Sequence, residues 1–297
     1  MTRKLLTLIL VVLTAMAVFN VGLAQEADGE PIPVGAIFDL SGATGDVGTP
    51  YADGVLAYID WLNSNGGIDG RPIELFSQDY AYSVETAENL YTQYVNEGVV
   101  VFLGWGTGDT EALRGRIAED EIPFISASYS DALNDPDGEA PYNFIIAPTY
   151  SDQLEIMMTY MFDQWIAEGN AAEDMSVAVF HNDSPFGTSP LPAGEAFAEA
   201  NGIAFRGIPM PRGATDFTAE LTQADEDLVT HIIVQNVSSP AALLAQNALE
   251  FFGDPEFYEF GCLNWCADEL FVELAGESSE GALGAIPFTP TTVEVPG

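Results

Sequence analysis

From Pro31 onward, short apolar runs alternate with segments of helical period, and the alternation restarts after Pro148. Residues 32–40 form an apolar run closed by Ser41-Gly42. Residues 51–63 then place Val55, Tyr58, Ile59 and Leu62 at helical spacing ahead of Gly66-Gly67. Further strands are predicted at 73–80, 99–103, 122–126 and 142–147, with helices at 83–95 and 109–120. After Pro148 the order is helix 152–168, strand 175–181, helix 187–201, strand 203–210, helix 217–224, strand 229–235, helix 240–252, strand 257–261 and helix 268–275. Parallel strands need long crossovers, and helices supply them. The pattern therefore predicts an α/β chain with two parallel sheets, each covered by helices on both faces. A joint near 147–151, with no long low-complexity linker, predicts adjacent lobes at 31–148 and 149–281 across a hinge.

The first 24 residues carry Arg3 and Lys4, an apolar stretch over 5–19, and small residues at Gly22 and Ala24. This is the pattern of a signal peptide cleaved after Ala24. The stretch is too short for a spanning helix, and no later run reaches membrane length. No cysteine stands at the mature N-terminus to accept a lipid, so the expectation is a soluble, exported, periplasmic protein. Export to an oxidising compartment bears on Cys262 and Cys266. Their spacing on a helix gives poor disulfide geometry, and pairing stays open.

The formal net charge is −39, and beyond the leader only five arginines and no lysine oppose 46 acids. Such a field repels phosphate backbones and anionic lipid, which excludes nucleic-acid and membrane-surface binding. The 47% of hydrophobic residues excludes disorder, because that much apolar surface builds a core. The acidity fits a salt-adapted protein, since molar salt screens carboxylate repulsion to within about 3 Å. A plainly acidic environmental protein is the alternative.

Several catalytic and cofactor sites fail on inspection. Gly104-Trp105-Gly106-Thr107-Gly108-Asp109 follows a strand and opens a helix, yet an acid falls where the third glycine of a dinucleotide loop is needed. No phosphate-binding GxxxxGK[ST] loop and no GxSxG elbow occurs. His181 and His231 stand alone in or beside apolar strands, where packing is expected rather than coordination. The two cysteines lack a second ligand pair for zinc. In the acidic stretch 131–139, placing Gly138 at the sixth position of a calcium loop puts Leu133 at the first, so a solvated turn is expected. No cofactor and no metal is expected, and no nucleophile–base pair is found.

Four loops at strand ends carry hydroxyl, amide and glycine residues, at 41–50, 104–110, 126–130 and 182–187. Open α/β sheets bind ligands at such ends, where helix N-termini expose N–H groups. Around them stand Asn65-Gly66-Gly67-Ile68-Asp69-Gly70-Arg71-Pro72-Ile73-Glu74-Leu75, Pro33-Val34-Gly35, Leu40-Ser41-Gly42, Glu119-Asp120-Glu121-Ile122-Pro123, Thr215-Asp216-Phe217 and Gly276-Glu277-Ser278-Ser279-Glu280-Gly281. On these residues the chain resembles the exported solute-binding proteins of ABC transporters, of the leucine/isoleucine/valine-binding type.

The resemblance implies a type I periplasmic-binding-protein fold whose two lobes close on a small ligand by hinge bending. It also implies a monomer that presents its closed form to membrane permease subunits. By position, it implies ligand contacts from Gly108, Asp109 and Thr110 in one loop and from Ser128 and Ser130 in the next. A covering tyrosine of the family falls at Phe186, and another contact falls at 236–238, including Ser238. The family's acid for the ligand ammonium falls at 263–265, where this chain has Leu263, Asn264 and Trp265. A buried ammonium without a carboxylate is costly. The ligand then lacks an amino group, as in an amide or carboxylate, or Asp109 replaces the missing acid. Trp105, Tyr129, Phe186 and Trp265 suit an apolar or planar ligand body.

The family's chain returns to the first lobe after a crossover near 282–290, whereas this sequence stops at Gly297; a C-terminally incomplete chain is expected, with 282–297 as the start of the crossover. The same fold also serves two alternatives: a ligand sensor reporting to a signalling partner, and an exported amidase or hydrolase working through Ser128 or Ser130. Salt adaptation has a direct check. The melting temperature should rise between dilute buffer and molar salt, and equal melting in both would contradict it.

Overall fold

The computed structural model describes residues 28–253 and 258–288. The leader 1–24, residue 257 of the expected strand 257–261, and 289–297 lie outside the described residues. The first sheet contains β1 (Ile32–Phe38), β2 (Ile73–Asp79), β3 (Val101–Gly104), β4 (Phe124–Ser126) and β5 (Asn143–Phe144), in the order β2-β1-β3-β4-β5. The second contains β6 (Ser176–Asn182), β7 (Ala204–Met210), β8 (His231–Gln235), β9 (Glu259–Cys262) and β10 (Leu283–Gly284), in the order β10-β9-β8-β6-β7. Every neighbouring pair is parallel.

Burial follows strand position. The inner strand β8 is buried along its whole length and β6 over all but its last residue, because helices cover both faces. The edge strands β2 and β7 each keep residues facing solvent and read as mixed sequences. The first core is aromatic: Phe102 stacks on Tyr91 at 4.6 Å and on Phe124 at 5.7 Å between ring centroids. The second is largely aliphatic, with Ile232, Val234 and Phe180 on one face of the sheet and Met157, Met158, Met161 and Met175 in the cluster on the other.

Several elements differ from the sequence expectation. Helix α1 (Gly45–Ser64) begins six residues before position 51 and contains Pro50. Its start is organised from a distance by the buried Asp39, whose carboxylate accepts from Gly42 N at 2.7 Å, Thr44 N at 2.9 Å and Thr44 Oγ1 at 2.6 Å. The expected helix 187–201 is two helices, Pro185–Thr188 and Leu191–Asn201, separated at Pro190. The strand expected over 142–147 is only two residues long. Residues 283–284 of the expected crossover pair with β9 in the second sheet.

Among the described residues the chain passes between the sheets once, over 145–149, and enters helix α4, numbered after α2 (Val84–Asn96) and α3 (Thr107–Asp120), at Tyr150–Ala167. A reciprocal cap fixes that entry: Asp152 N donates to Thr149 Oγ1 at 3.2 Å, and Thr149 N donates to Asp152 Oδ2 at 3.0 Å. Cys262 and Cys266 are free and buried, and Cys266 Sγ lies 3.5 Å from the carbonyl of Val234. Among the described residues no helix is long and apolar enough to cross a membrane.

Gly104, the last residue of β3, has no room for a side chain, since a Cβ there would run into the Phe124 ring. Gly104→Ala should therefore lose about 1–3 kcal/mol of stability. Urea unfolding measures this, and an unchanged midpoint would contradict the packing described.

Candidate functional site in the interlobe cleft

Parallel strands place all their following loops at one end of a sheet, and here the two sheets turn those ends toward each other. Thr44 follows β1, Tyr82 follows β2, and Trp105, Gly106 and Thr107 follow β3. Across from them, Phe186 follows β6, Val237 follows β8 and Trp265 follows β9, with Tyr150 at the head of α4. These residues bound one space of about 10 Å³, the volume of a single water position.

The rings hold the lobes against one another. Trp265 of the second lobe lies parallel to Tyr129 of the first, 5.8 Å apart at 9°, and packs on Trp105 at 5.0 Å. Its Nε1 donates to Tyr150 Oη at 2.9 Å, while Trp105 Nε1 donates to Thr44 Oγ1 at 2.7 Å. Phe186 stands edge-on to Tyr150 at 5.4 Å. Hydrogen bonds also cross between the lobes, among them Ser239 N to Asp46 Oδ2 at 2.9 Å and Ser189 Oγ to Ser130 Oγ at 3.2 Å.

A group of hydroxyls lies beneath the rings. Thr107 Oγ1 and Ser128 Oγ are 2.6 Å apart, and both neighbour the Tyr150 hydroxyl. Burial pushes that phenol up to about 12, so it stays protonated and able to donate. Protonated hydroxyls clustered at strand ends can donate to a carboxylate or carbonyl oxygen.

The residues expected from sequence fall into distinct settings. Trp105, Phe186 and Trp265 line the cleft, and Ser128 belongs to the hydroxyl group. Ser130 Oγ donates to Glu111 Oε1 at 2.7 Å at the meeting of the lobes. Gly108 faces Pro185 across the cleft. Thr110 turns inward, its hydroxyl bonded to Gly106 O at 2.6 Å and near Ser126 Oγ. Ser238 Oγ donates to Asp268 Oδ2 at 2.7 Å, within the second lobe. Asp268 also caps helix 269–275 through Phe271 N, so the acid nearest position 265 already has partners. Asp109 is 2% exposed, and its Oδ1 accepts from Tyr80 Oη at 2.8 Å. Burial pushes its carboxyl up to about 7, opposed by the Tyr80 hydrogen bond and nearby amide dipoles.

Sequence reasoning missed Thr44, Tyr82, Thr107 and Tyr150. Thr107 sits in a loop that was singled out, but Tyr82 had no signal. Ala81 and Tyr82 both adopt left-handed backbone, φ 51° and 56°, in a turn with no glycine. The histidines lie apart from the rings: His181 Nδ1 is 2.9 Å from Asn182 O, and His231 Nε2 is 3.3 Å from Glu259 Oε2.

Comparison with known proteins agrees with this architecture. A family model described as periplasmic binding protein matches residues 31–296. A branched-chain amino acid ABC transporter structure from Thermus thermophilus with bound valine superposes with TM-score 0.79 at 25% identity, covering 86% of this chain and 65% of that one. An ABC transporter substrate-binding protein from Aeropyrum pernix superposes with TM-score 0.74 at 27% identity, covering 86% and 66%. A Leu/Ile/Val-binding protein homolog 7 from Brucella suis biovar 1 (strain 1330) is 23% identical over 176 residues, 58% of this chain and 43% of that protein. The chain thus spans less than half the length of such curated relatives and about two thirds of these structures. With the matched model running over residues 31–296, the protein belongs to the periplasmic binding protein family.

Proposed function

We propose that the protein is the solute receptor of an ABC import system, taking a small amino acid of branched-chain type, or a short amide or carboxylate, between its lobes. The observation that carries this is the convergence of loops from six strands on one aromatic-walled space with a hydroxyl floor. Hydroxyls of Thr107, Ser128 and Tyr150 suit a ligand carboxylate or carbonyl, and Trp105, Phe186 and Trp265 suit an aliphatic body. The lobes, 31–148 and 149–281, hinge at 145–149. A space of about 10 Å³ cannot admit a solute of this size without their parting.

The leader supports export to the periplasm, and the family supports delivery to permease subunits at the inner membrane by a monomer. Binding rather than catalysis is favoured by the site's chemistry. Ser128 is bonded to Thr107, and both histidines engage groups other than Ser128 or Ser130.

Calorimetry with branched-chain amino acids, short amides and short carboxylates tests the reading. At least one should bind saturably, and binding of none would contradict it. Ser128→Ala should weaken the ligand found by about 1.5–3 kcal/mol, roughly 10- to 150-fold, with the fold intact. Unchanged affinity would remove the hydroxyl group from the site.

A further inference from the structure

Beside the ring-walled space lies a second chamber of about 230 Å³, bounded by Tyr82, Gly108, Asp109, Asn182, Ser184 and Arg212 among others. Tyr82 borders both chambers, and neighbouring residues divide between them: Thr107 faces one and Gly108 the other, Phe186 one and Pro185 the other. The two are therefore neighbouring parts of one cleft, with Tyr82 lining both.

Asp109 borders this second chamber, two residues from Thr107 of the first, and its Oδ2 has no hydrogen-bond partner although the residue is almost wholly buried. A buried carboxylate oxygen left unpaired is costly and uncommon in a folded protein. The second lobe meanwhile offers no acid at 263–265, and Asp268 is occupied by Ser238 and Phe271. We infer that Asp109 Oδ2 receives the ammonium group of the ligand, so that the acid for an α-amino group is supplied by the first lobe and not by the second. This rests on the proposed solute-receptor function and narrows it to zwitterionic amino acids. The carboxylate would lie toward the Thr107, Ser128 and Tyr150 hydroxyls and the ammonium toward Asp109.

The groups around Asp109 set its response to pH. Asp39, directly after β1, and the phenols of Tyr80 and Tyr82 face it from its own lobe. Asp183 and Arg212 border the chamber from the second, and Arg212 is exposed to solvent. With its carboxyl near 7, Asp109 is partly protonated at neutral pH and must lose that proton to pair with an ammonium. Amino-acid affinity should then rise by on the order of tenfold from pH 6 to pH 8, with about half a proton released per ligand at pH 7.

The test is calorimetry of the full chain with L-valine and L-leucine, and with their deamino counterparts 3-methylbutanoate and 4-methylpentanoate. The amino acids should bind more tightly, and Asp109→Asn should weaken them by about 10- to 150-fold while leaving the deamino acids within about threefold. The variant's pH profile should also be flat. Amino-acid binding unchanged in Asp109→Asn, or no preference for amino acids over deamino acids, overturns the inference and leaves the receptor reading standing. Binding of none of the four by the unaltered protein overturns the inference. The receptor reading falls with it only if short amides also fail to bind. Should Asp109→Asn fail to fold, proton release by the unaltered protein decides: its absence near pH 7 overturns the inference.

Discussion

The seat of Trp265 is the contact on which the rest of the site depends. The ring belongs to a short loop at the end of β9, yet it stacks on Tyr129 and packs on Trp105, both from the other lobe. A buried indole N–H needs an acceptor, and Tyr150 supplies it at the point where the chain has just crossed between the sheets. One side chain therefore ties together the loops after β3, β4 and β9 and the helix that follows the crossing. Such ring pairs contribute about 0.5–1.5 kcal/mol each beyond the area they bury. The faces that close the lobes are the faces a ligand would cover, so closure and binding draw on the same surface.

Acidity shapes the architecture in a specific way. With no lysine after the leader, carboxylates near the cleft take amide and hydroxyl donors in place of cations. Asp39 holds the loop before α1, and Asp79 accepts from Leu40 N and Ala81 N, both at 2.9 Å. Asp46 reaches across to Ser239, and Asp268 ties Ser238 to the helix it caps. Hydrogen bonds to a charged acceptor are worth about 1.5–3 kcal/mol, more than an exposed ion pair. Asp109 departs from this pattern, with one oxygen held by Tyr80 and the other left over.

The sheets were legible in the sequence because their inner strands are buried on both faces and so read as unbroken apolar runs, as in β6 and β8. The early start of α1 was not legible: residues 45–50 are mostly small or polar, and the carboxylate that organises them lies at Asp39. In the site, the loops were legible but the side-chain directions were not. Thr110 and Ser238 belong to the right loops, yet both hydroxyls turn inward to partners set by tertiary packing. Tyr82 reaches the cleft through two left-handed residues that composition does not announce. Tyr150 read as part of a joint and proved to be a wall.

Tryptophan fluorescence reports on the central claim most directly, because Trp105 and Trp265 face each other in the cleft, whereas Trp61 is exposed on α1 and Trp165 packs on His231. Titrating a branched-chain amino acid should give a saturable change in emission that disappears in the Trp105→Phe, Trp265→Phe double variant. A saturable change of equal size in the double variant would place the ligand elsewhere and contradict binding between the lobes.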